Sequence, residues 1–600
     1  VYAEVALQLL RRMAIWEYIN DFNSDGFSDL MVSYKSGNYQ KVCWLKAERS
    51  GSFSVVKEVQ SSHLYPVTGV NIAQGDFDGD GYVEFIGYGG DLYAGGSTSK
   101  SWHLYKNSSY AINNNKITTI TEGLLKKTGI TYCSLLDGYT NTASTSFPLM
   151  RFYAPLPVVN TSSESWKNTT YTTTYSYANG IVHLAGKGFL GFQTQTSQGN
   201  GTKQVTTLAV NSSYYVPYMT SVETRGLDNT IINSHSYTYT FEVGDVAKSY
   251  KKNLTHESIG DVIANKSQTV TYSQFHYGKP CSVTSSSYIT KKTTCTYTDI
   301  KNNGYWILGL PLTVDTESSV EAYNGVLDKF YDRTVYTYDG HGRVIKKQDY
   351  KSNVASNQYI TNTEQCQYDT RGYLINSKSV AYAATDTLTT THAYDTYGRL
   401  TRTVAPDGHP TNYTYNSIGL LTAENDEWFS TRISSTYDGV ARLKRRIKSS
   451  TINMFTPDTL TVSYTFTNTN NHAYKVTTTN SHQPTTTDYY DGFGRLVASG
   501  SIHFDGKEYV TETSYLNANV KGFESVPHAY GTSTDAGTTY TYDSRFRPVQ
   551  ITDPEGNTVG SEYHDSSVDV TKNGVTTHYE YNQDGSLSQR IDPPLCHIHL

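Results

Sequence analysis

The chain has 600 residues, more than one hydrophobic core organises, so several domains are expected. Charged residues make up only 17% and the net charge is -6, which leaves no basic footprint for nucleic acid. Fifty-three tyrosines among dense Thr and Ser suit large β-sheets, and no apolar run is long enough for a transmembrane helix.

In chain order, the first features are two acidic loops. Asp21, Asn23, Asp25 and Asp29 stand at positions 1, 3, 5 and 9 of one, and Asp76, Asp78, Asp80 and Glu84 at the same positions of the other. Oxygen ligands so spaced wrap a hard cation, so a structural Ca²⁺ is expected at each. Gly26 and Gly81 permit the sharp turn, and the carbonyls of Phe27 and Tyr82 would fill position 7. Position 12 is Val32 or Gly87 rather than Glu, which disfavours a helix-loop-helix calcium hand. Strand-like segments follow, Leu30–Tyr34 and Phe85–Tyr88. Loops of this kind beside short strands resemble the FG-GAP/VCBS blades of integrin-like β-propellers. Two blades do not close a propeller, so a propeller fragment is expected.

From about 100 to 330 the chain is rich in Asn, Ser and Thr. A short helix is expected around Thr121–Lys127, a domain border near Ala154–Asn160, and a strand over Tyr171–Tyr177. Gly186-Lys187-Gly188-Phe189-Leu190-Gly191-Phe192 reads as a tight turn feeding a strand, with Phe189 and Phe192 as core anchors. It lacks the residue order of a phosphate-binding loop. The phrase resembles the Gly-Arg-Gly-Phe-x-Gly-Phe signature of TcB-type and SpvB-type insecticidal toxin proteins. Gly186, Gly188, Phe189, Gly191 and Phe192 match it, and Lys187 replaces the usual Arg, losing the bidentate fork. Trp306-Ile307-Leu308-Gly309-Leu310-Pro311 resembles the tryptophan phrase that precedes the repeats in those proteins.

The second half is organised by a recurring phrase: Tyr, Asp or Asn, two variable residues, a small residue, a basic or polar one, then an apolar one. Copies include Tyr338-Asp339-x-x-Gly342-Arg343, Tyr368-Asp369-x-x-Gly372, Tyr394-Asp395-x-x-Gly398-Arg399 and Tyr490-Asp491-x-x-Gly494-Arg495. Others start at Tyr415 and Tyr437, with degraded ones at Tyr542 and Tyr581. Each unit is a strand, an Asp-x-x-Gly turn and a returning strand, and such hairpins gain stability by stacking. The Arg residues and the Tyr hydroxyls are expected to make structural pairs. Asp407-Gly408 and Asp553–Asn557 are further turns between hairpins. The phrase resembles the Rhs/YD repeats of bacterial toxins and teneurins.

The cysteines show no Cys-x-x-Cys spacing, although Cys281 and Cys295 could meet across a hairpin. No catalytic constellation is found, and a non-enzymatic protein is expected. The fold class read from the chain is all-β: propeller blades over 1–100, a toxin-complex middle region over 101–330 and an Rhs/YD-repeat β-hairpin shell over 331–600. The order of phrases resembles toxin-complex proteins of the TcB and SpvB type. That resemblance implies a secreted or extracellular carrier, cytoplasmic before release. Its repeats would enclose a C-terminal cargo domain outside this chain, and its propeller would dock on a channel-forming toxin subunit. In such proteins the repeats end in a segment with aspartic self-cleavage, of which Ile591-Asp592-Pro593-Pro594 is a distant echo. The chain thus reads as a piece of a longer protein. The alternative is an extracellular adhesion or glycan-binding repeat protein.

Overall fold

The computed structural model describes residues 14–20, 27–36, 39–48, 50–60, 72–75, 84–90, 100–105, 116–154, 156–244, 249–261, 266–301, 304, 306–321, 327–352, 359–381, 387–450, 456–469 and 472–592. Every regular element among them is a β-strand, and no helix among them is long and apolar enough to cross a membrane. All-β architecture follows from the Thr/Tyr/Val alternation, which places branched and aromatic side chains on a pleated surface. The chain divides into two compact units, Val1–Asn200 with Thr207–Tyr218, and Gly201–Thr206 with Met219–Leu600.

The first unit opens with a four-stranded antiparallel meander, Ala14–Asn20, Asp29–Ser36, Tyr39–Ala47 and Phe53–Gln60. Its core is Val32, Cys43 and Leu45, with Leu30 and Phe53 against them. A three-stranded sheet follows, Ile72–Gly75, Glu84–Gly90 and Lys100–Tyr105. Further on, Pro157–Trp166 pairs with both Lys127–Ser134 and Thr169–His183. The helix expected at Thr121–Lys127 is instead the turn of a hairpin, with Thr119–Thr121 paired to Lys127–Gly129. Leu125 donates its N–H to Glu122 O at 2.9 Å and takes a φ of 63°. A segment this short cannot recover the cost of helix nucleation, whereas neighbouring strands supply partners at once.

The second unit is a meander of consecutive antiparallel strands running to Leu587–Ile591. Most strand residues are half-buried or exposed, so cross-strand pairs rather than a thick core hold it. Tyr489, Ala498 and Val510 form a buried apolar cluster, with Val497 against it. The meander returns on itself. Ser267 N donates to Gln583 O at 2.8 Å, and Lys266 bridges to Asp584. Asp228 accepts a hydrogen bond from Ser544. Gly201 abuts the ring of Phe546, so close that a Cβ there would sit 2.5 Å from Phe546 Cζ. Phe546 occupies the slot where intact repeats carry glycine and holds a φ of 62°. The left-handed conformation is costly for such a residue, and the contact with Gly201 offsets it. Phe546→Ala is expected to lower stability by about 1–2 kcal/mol, read from the denaturant midpoint.

Cys281 and Cys295 are both free thiols, although the register of their strands, Ser282 opposite Thr294, brings them side by side. Burial pushes the Cys295 thiol up, with Cys281 and Asp315 adding to the effect against a hydrogen bond from Tyr297.

Candidate functional site

Each repeat turn is built by its Asp. In the first, Asp339 Oδ1 accepts the N–H of His341 at 2.9 Å and of Arg343 at 3.0 Å. Asp339 Oδ2 accepts Arg343 Nε at 2.6 Å. Asp339 N donates to Arg343 O at 3.0 Å, and Gly342 N to Asp339 O at 3.1 Å. Gly342 takes a φ of 78°, which only glycine adopts without strain. The following strand starts one residue out of step, with Tyr338 opposite Val344, which is a glycine bulge. The same arrangement recurs at Asp395/Arg399, Asp438/Arg442, Asp491/Arg495 and Asp543/Arg547. At Tyr437 the small residue is Ala441, which bears a φ of 67°. In the Asp369 turn it is Arg371 that reaches back, from two residues on, with Nε at 3.0 Å from Asp369 Oδ2.

The Tyr of one repeat belongs to the repeat before it. Tyr368 Oη donates to Val344 O at 2.9 Å, and the Arg343 guanidinium lies 4.9 Å over the same ring. Tyr415 repeats this on Leu400 O at 2.9 Å and Arg399 at 5.1 Å. Tyr515 does so on Leu496 O at 2.8 Å and Arg495 at 4.5 Å, and Tyr563 on Pro548 O at 3.0 Å and Arg547 at 4.2 Å. Tyr437 reaches Leu421 O at 2.8 Å and Tyr542 reaches Lys521 O at 2.8 Å. Arg399 Nη1 also donates to Asn416 O at 3.1 Å, and Arg495 Nη1 to Asn517 O at 3.0 Å. The seven-residue phrase is therefore a two-sided connector. Its Asp and Gly shape the turn, while its Arg and last carbonyl receive the next Tyr. Tyr394 and Tyr490 instead stack on Tyr373 at 5.1 Å and on Tyr474 at 4.8 Å. Tyr368→Phe is expected to cost about 0.5–1.5 kcal/mol, since a part-buried carbonyl loses its donor; a denaturant midpoint equal to wild type would contradict this.

The seam begins at the tryptophan phrase. Tyr338 Oη donates to Pro311 O at 2.6 Å. A Cβ at Gly342 would lie 3.0 Å from Ile307 Cδ1. Gly309, at a φ of 65°, donates its N–H to Asp299 Oδ1 at 2.9 Å and accepts Lys279 Nζ at 2.8 Å. Trp306 itself is exposed. The sequence reading missed the copies at Tyr515 and Tyr563, because their turns lack Asp-x-x-Gly. The Ser/Thr-rich strand before each Tyr was the available signal.

The turns of Asp339, Asp395 and Asp438 are expected to be acid-sensitive. Burial alone would raise the carboxyls of Asp339 and Asp395, but the N–H and guanidinium of the following Arg hold both below the usual range. Asp438 is lowered chiefly by the N–H of Arg442, and Asp299 is pushed down to about 2 by Gly309 N–H and His276. A folded-state pKa below the unfolded one means stability that is present above the ordinary carboxylate range. It is lost as pH falls through the lower folded values. The carboxylate-linked loss should begin below about pH 4 and be visible as a falling denaturant midpoint. A fall centred near neutral pH would contradict the assignment.

In the middle region, a bulge between Ile181 and Val182 places Val182 opposite Phe189 and Ile181 opposite Gly191. It resets the alternation and turns Leu190, not Phe189, into the core. Leu190 packs with Ala143 and Ile181. Phe189 is half exposed, its ring 4.5 Å from Phe152 and 5.1 Å from Phe192, which is buried. This corrects the expectation of two phenylalanine core anchors. Gly186, Gly188 and Gly191 carry φ of 102°, 69° and 103°, as the turn and bulge require. Lys187 Nζ donates to the carbonyl of Tyr214, a single acceptor that a fork is not needed to meet. Beside it, buried Asn141 donates to Gly180 O at 2.8 Å, and Gly180 N donates to Tyr139 Oη at 2.7 Å.

Of the acidic loops, Asp21, Asn23, Asp25, Asp76, Asp78 and Asp80 lie outside the described residues. Glu84 opens its strand. Asp29 is fully buried, its Oδ1 accepting Ala47 N at 2.9 Å and its Oδ2 accepting Trp44 Nε1 at 3.3 Å. Among the described residues no cluster of three or more His, Cys, Asp or Glu could hold a metal.

Comparison with known proteins agrees with this architecture. Residues 21–87 match the FG-GAP-like repeat family, and residues 57–221 the family described as insecticide toxin TcdB middle/N-terminal region. No curated protein sequence matches the chain. The crystal structure of TcdB2-TccC3 superposes with a TM-score of 0.66 at 12% identity, covering 96% of this chain and 40% of that one. The same complex without its hypervariable C-terminal region gives 0.60 at 11% identity, covering 96% and 42%. A Photorhabdus luminescens Tc holotoxin pore gives 0.56 at 11% identity, covering 96% and 41%. The chain thus spans about two fifths of the length of those structures. Over residues 57–221 in sequence, and over nearly its whole length in fold, the chain is similar to toxin-complex proteins of the TcdB type.

Proposed function

We propose that the chain is a non-enzymatic structural and docking part of a toxin-complex-like carrier. The observation that carries this reading is the return of the repeat meander on itself, Ser267 to Gln583 and Gly201 to Phe546. A sheet whose late turns cover its early strands leaves fewer open edges and can enclose a volume. The match to TcdB2-TccC3 over 96% of the chain supports the same reading. In it, blades over 1–100 dock on a channel-forming subunit, the region 101–330 links them to the shell, and the Rhs/YD shell over 331–600 isolates a C-terminal cargo. The carrier is secreted, after assembly in the cytoplasm. No chemistry is required of the shell, since isolation alone protects the producing cell.

Calcium belongs to the same proposal. Asp21, Asn23, Asp25 and Asp29, and Asp76, Asp78, Asp80 and Glu84, are oxygen-only donor sets suited to a hard cation. Calorimetric titration with Ca²⁺ tests this; two sites are expected, and Asp25→Asn should weaken one and spare the other.

The carrier reading is tested by cryo-electron microscopy of the protein with calcium present. A closed shell of spiralling strands with density inside and blades at one end is expected. An open or solid rod with a free blade face would sink it in favour of an adhesion protein.

A further inference from the structure

Two thiols stand together just ahead of the tryptophan phrase. Strands Lys279–Ser286 and Thr290–Ile300 form a hairpin, and its antiparallel register runs without a shift from Ser286 opposite Thr290 to Ser282 opposite Thr294. The next step outward sets Cys281 opposite Cys295, so the two side chains leave the same face of the sheet. The pair is held from both sides. Inward lies the ladder, and outward Tyr297 Oη reaches back across the hairpin and donates to Pro280 O at 2.8 Å. The same hydroxyl is hydrogen-bonded to the Cys295 thiol. Burial pushes the Tyr297 phenol up to about 12, and Cys295 and then Cys281 add to the shift, which puts both sulfurs near one oxygen. Both cysteines are half-buried, within reach of a small reagent. Cys133 and Cys366 face Val158 and Ser377 instead, and Cys43 is buried with Val32 and Leu45.

We infer that Cys281 and Cys295 are a disulfide-forming pair, oxidised by exchange with a low-molecular-mass disulfide such as oxidised glutathione. Opposite residues of an antiparallel pair have Cα atoms about 4.5 or 5.5 Å apart. Both values fall inside the span of roughly 4.4–6.8 Å that disulfides bridge, so the backbone is already spaced for the bond. One cysteine thiolate attacks a sulfur of the reagent, forming a mixed disulfide and releasing one glutathione thiolate. The other cysteine thiolate then attacks the protein sulfur of that mixed disulfide and releases the second glutathione. Two electrons and two protons pass from the pair to the reagent, which leaves as two reduced molecules. On its other side Cys295 lies opposite Val314, in the strand Ile307–Glu321 that carries Gly309 and Pro311. Oxidation therefore clasps the hairpin on which the first strand of the seam is hung, and it closes a short loop in the unfolded chain as well. The pair does not depend on the carrier reading.

The test is oxidation of the native 600-residue chain with glutathione disulfide, followed by alkylation, trypsin digestion and mass spectrometry. Cleavage after Lys291 and Lys292 separates the two cysteines, so the bond shows as a linked pair of peptides, 267–291 and 293–301. That linked pair is expected, together with the loss of two of the six thiols when the chain is titrated in denaturant. Dithiothreitol should restore both. Absence of the linked pair, its formation only in the denatured chain, or a main product joining either cysteine to a different one would overturn the proposal. The denaturant midpoint should be higher for the oxidised chain than for the reduced one, and Cys281→Ser should abolish both the link and that difference. An equal or lower midpoint after oxidation, or the same difference in Cys281→Ser, would overturn the clasp. The peptide map of the unaltered chain decides even where the variant does not fold.

Discussion

Replacing Asp491 by alanine is expected to lower unfolding stability by about 3–5 kcal/mol. Of the repeat aspartates it has the most buried ion pair, with side-chain exposures of 4% for Asp491 and 16% for Arg495. Asp491 Oδ1 accepts the N–H of Phe493 at 2.9 Å and of Arg495 at 3.0 Å, while Oδ2 accepts Arg495 Nε at 2.8 Å. Removing the carboxylate takes the acceptor from Arg495 Nε and from two backbone donors together, leaving the guanidinium with the carbonyls of Asn517 and Ala518. Asp369→Ala is the contrast. Its partner Arg371 is 44% exposed, so loss of that ion pair alone should cost about 0–1 kcal/mol. Guanidinium unfolding of both variants measures the difference; equal midpoints would show that burial of the pair does not set its worth.

Tyr489→Ala is expected to cost about 3–5 kcal/mol. Tyr489 is 1% exposed and packs with Ala498 and Val510. Its ring stacks on Tyr530 at 5.0 Å and meets the His472 imidazole at 4.9 Å. The hydroxyl donates to Glu508, at 3.1 Å from Oε1 and 3.0 Å from Oε2, and burial together with that carboxylate pushes the phenol well up. Tyr489→Phe separates the two contributions. It keeps the ring and removes only the donor to a charged group, for about 1.5–3 kcal/mol. A Phe variant as unstable as the Ala variant would assign the whole effect to the hydrogen bond and none to packing.

Much of this was legible from local pattern. Tyr338-Asp339 through Arg343 reads as a turn because Asp caps its own backbone and Gly tolerates a positive φ, and the structure builds it that way. That the repeat arginines would make structural pairs was likewise expected; that Arg399 takes Asp395 and Arg495 takes Asp491 is seen in the structure. The copies at Tyr515 and Tyr563 were not legible. Their turns differ, and only the bonds to Leu496 and Pro548 show that they occupy the same place. The burial of Leu190 in place of Phe189 was hidden because a single bulge inverts the alternation, and no residue type announces that register.

The sequence by itself determined strand, turn and repeat, since those depend on neighbours within a few residues: branched side chains, an Asp cap, a glycine φ. Tertiary structure alone decided which Tyr meets which carbonyl, and why Phe546 stands in a glycine slot. Both depend on segments tens to hundreds of residues apart, and their partner is a backbone carbonyl or a bare Gly201, neither of which carries a side-chain signal.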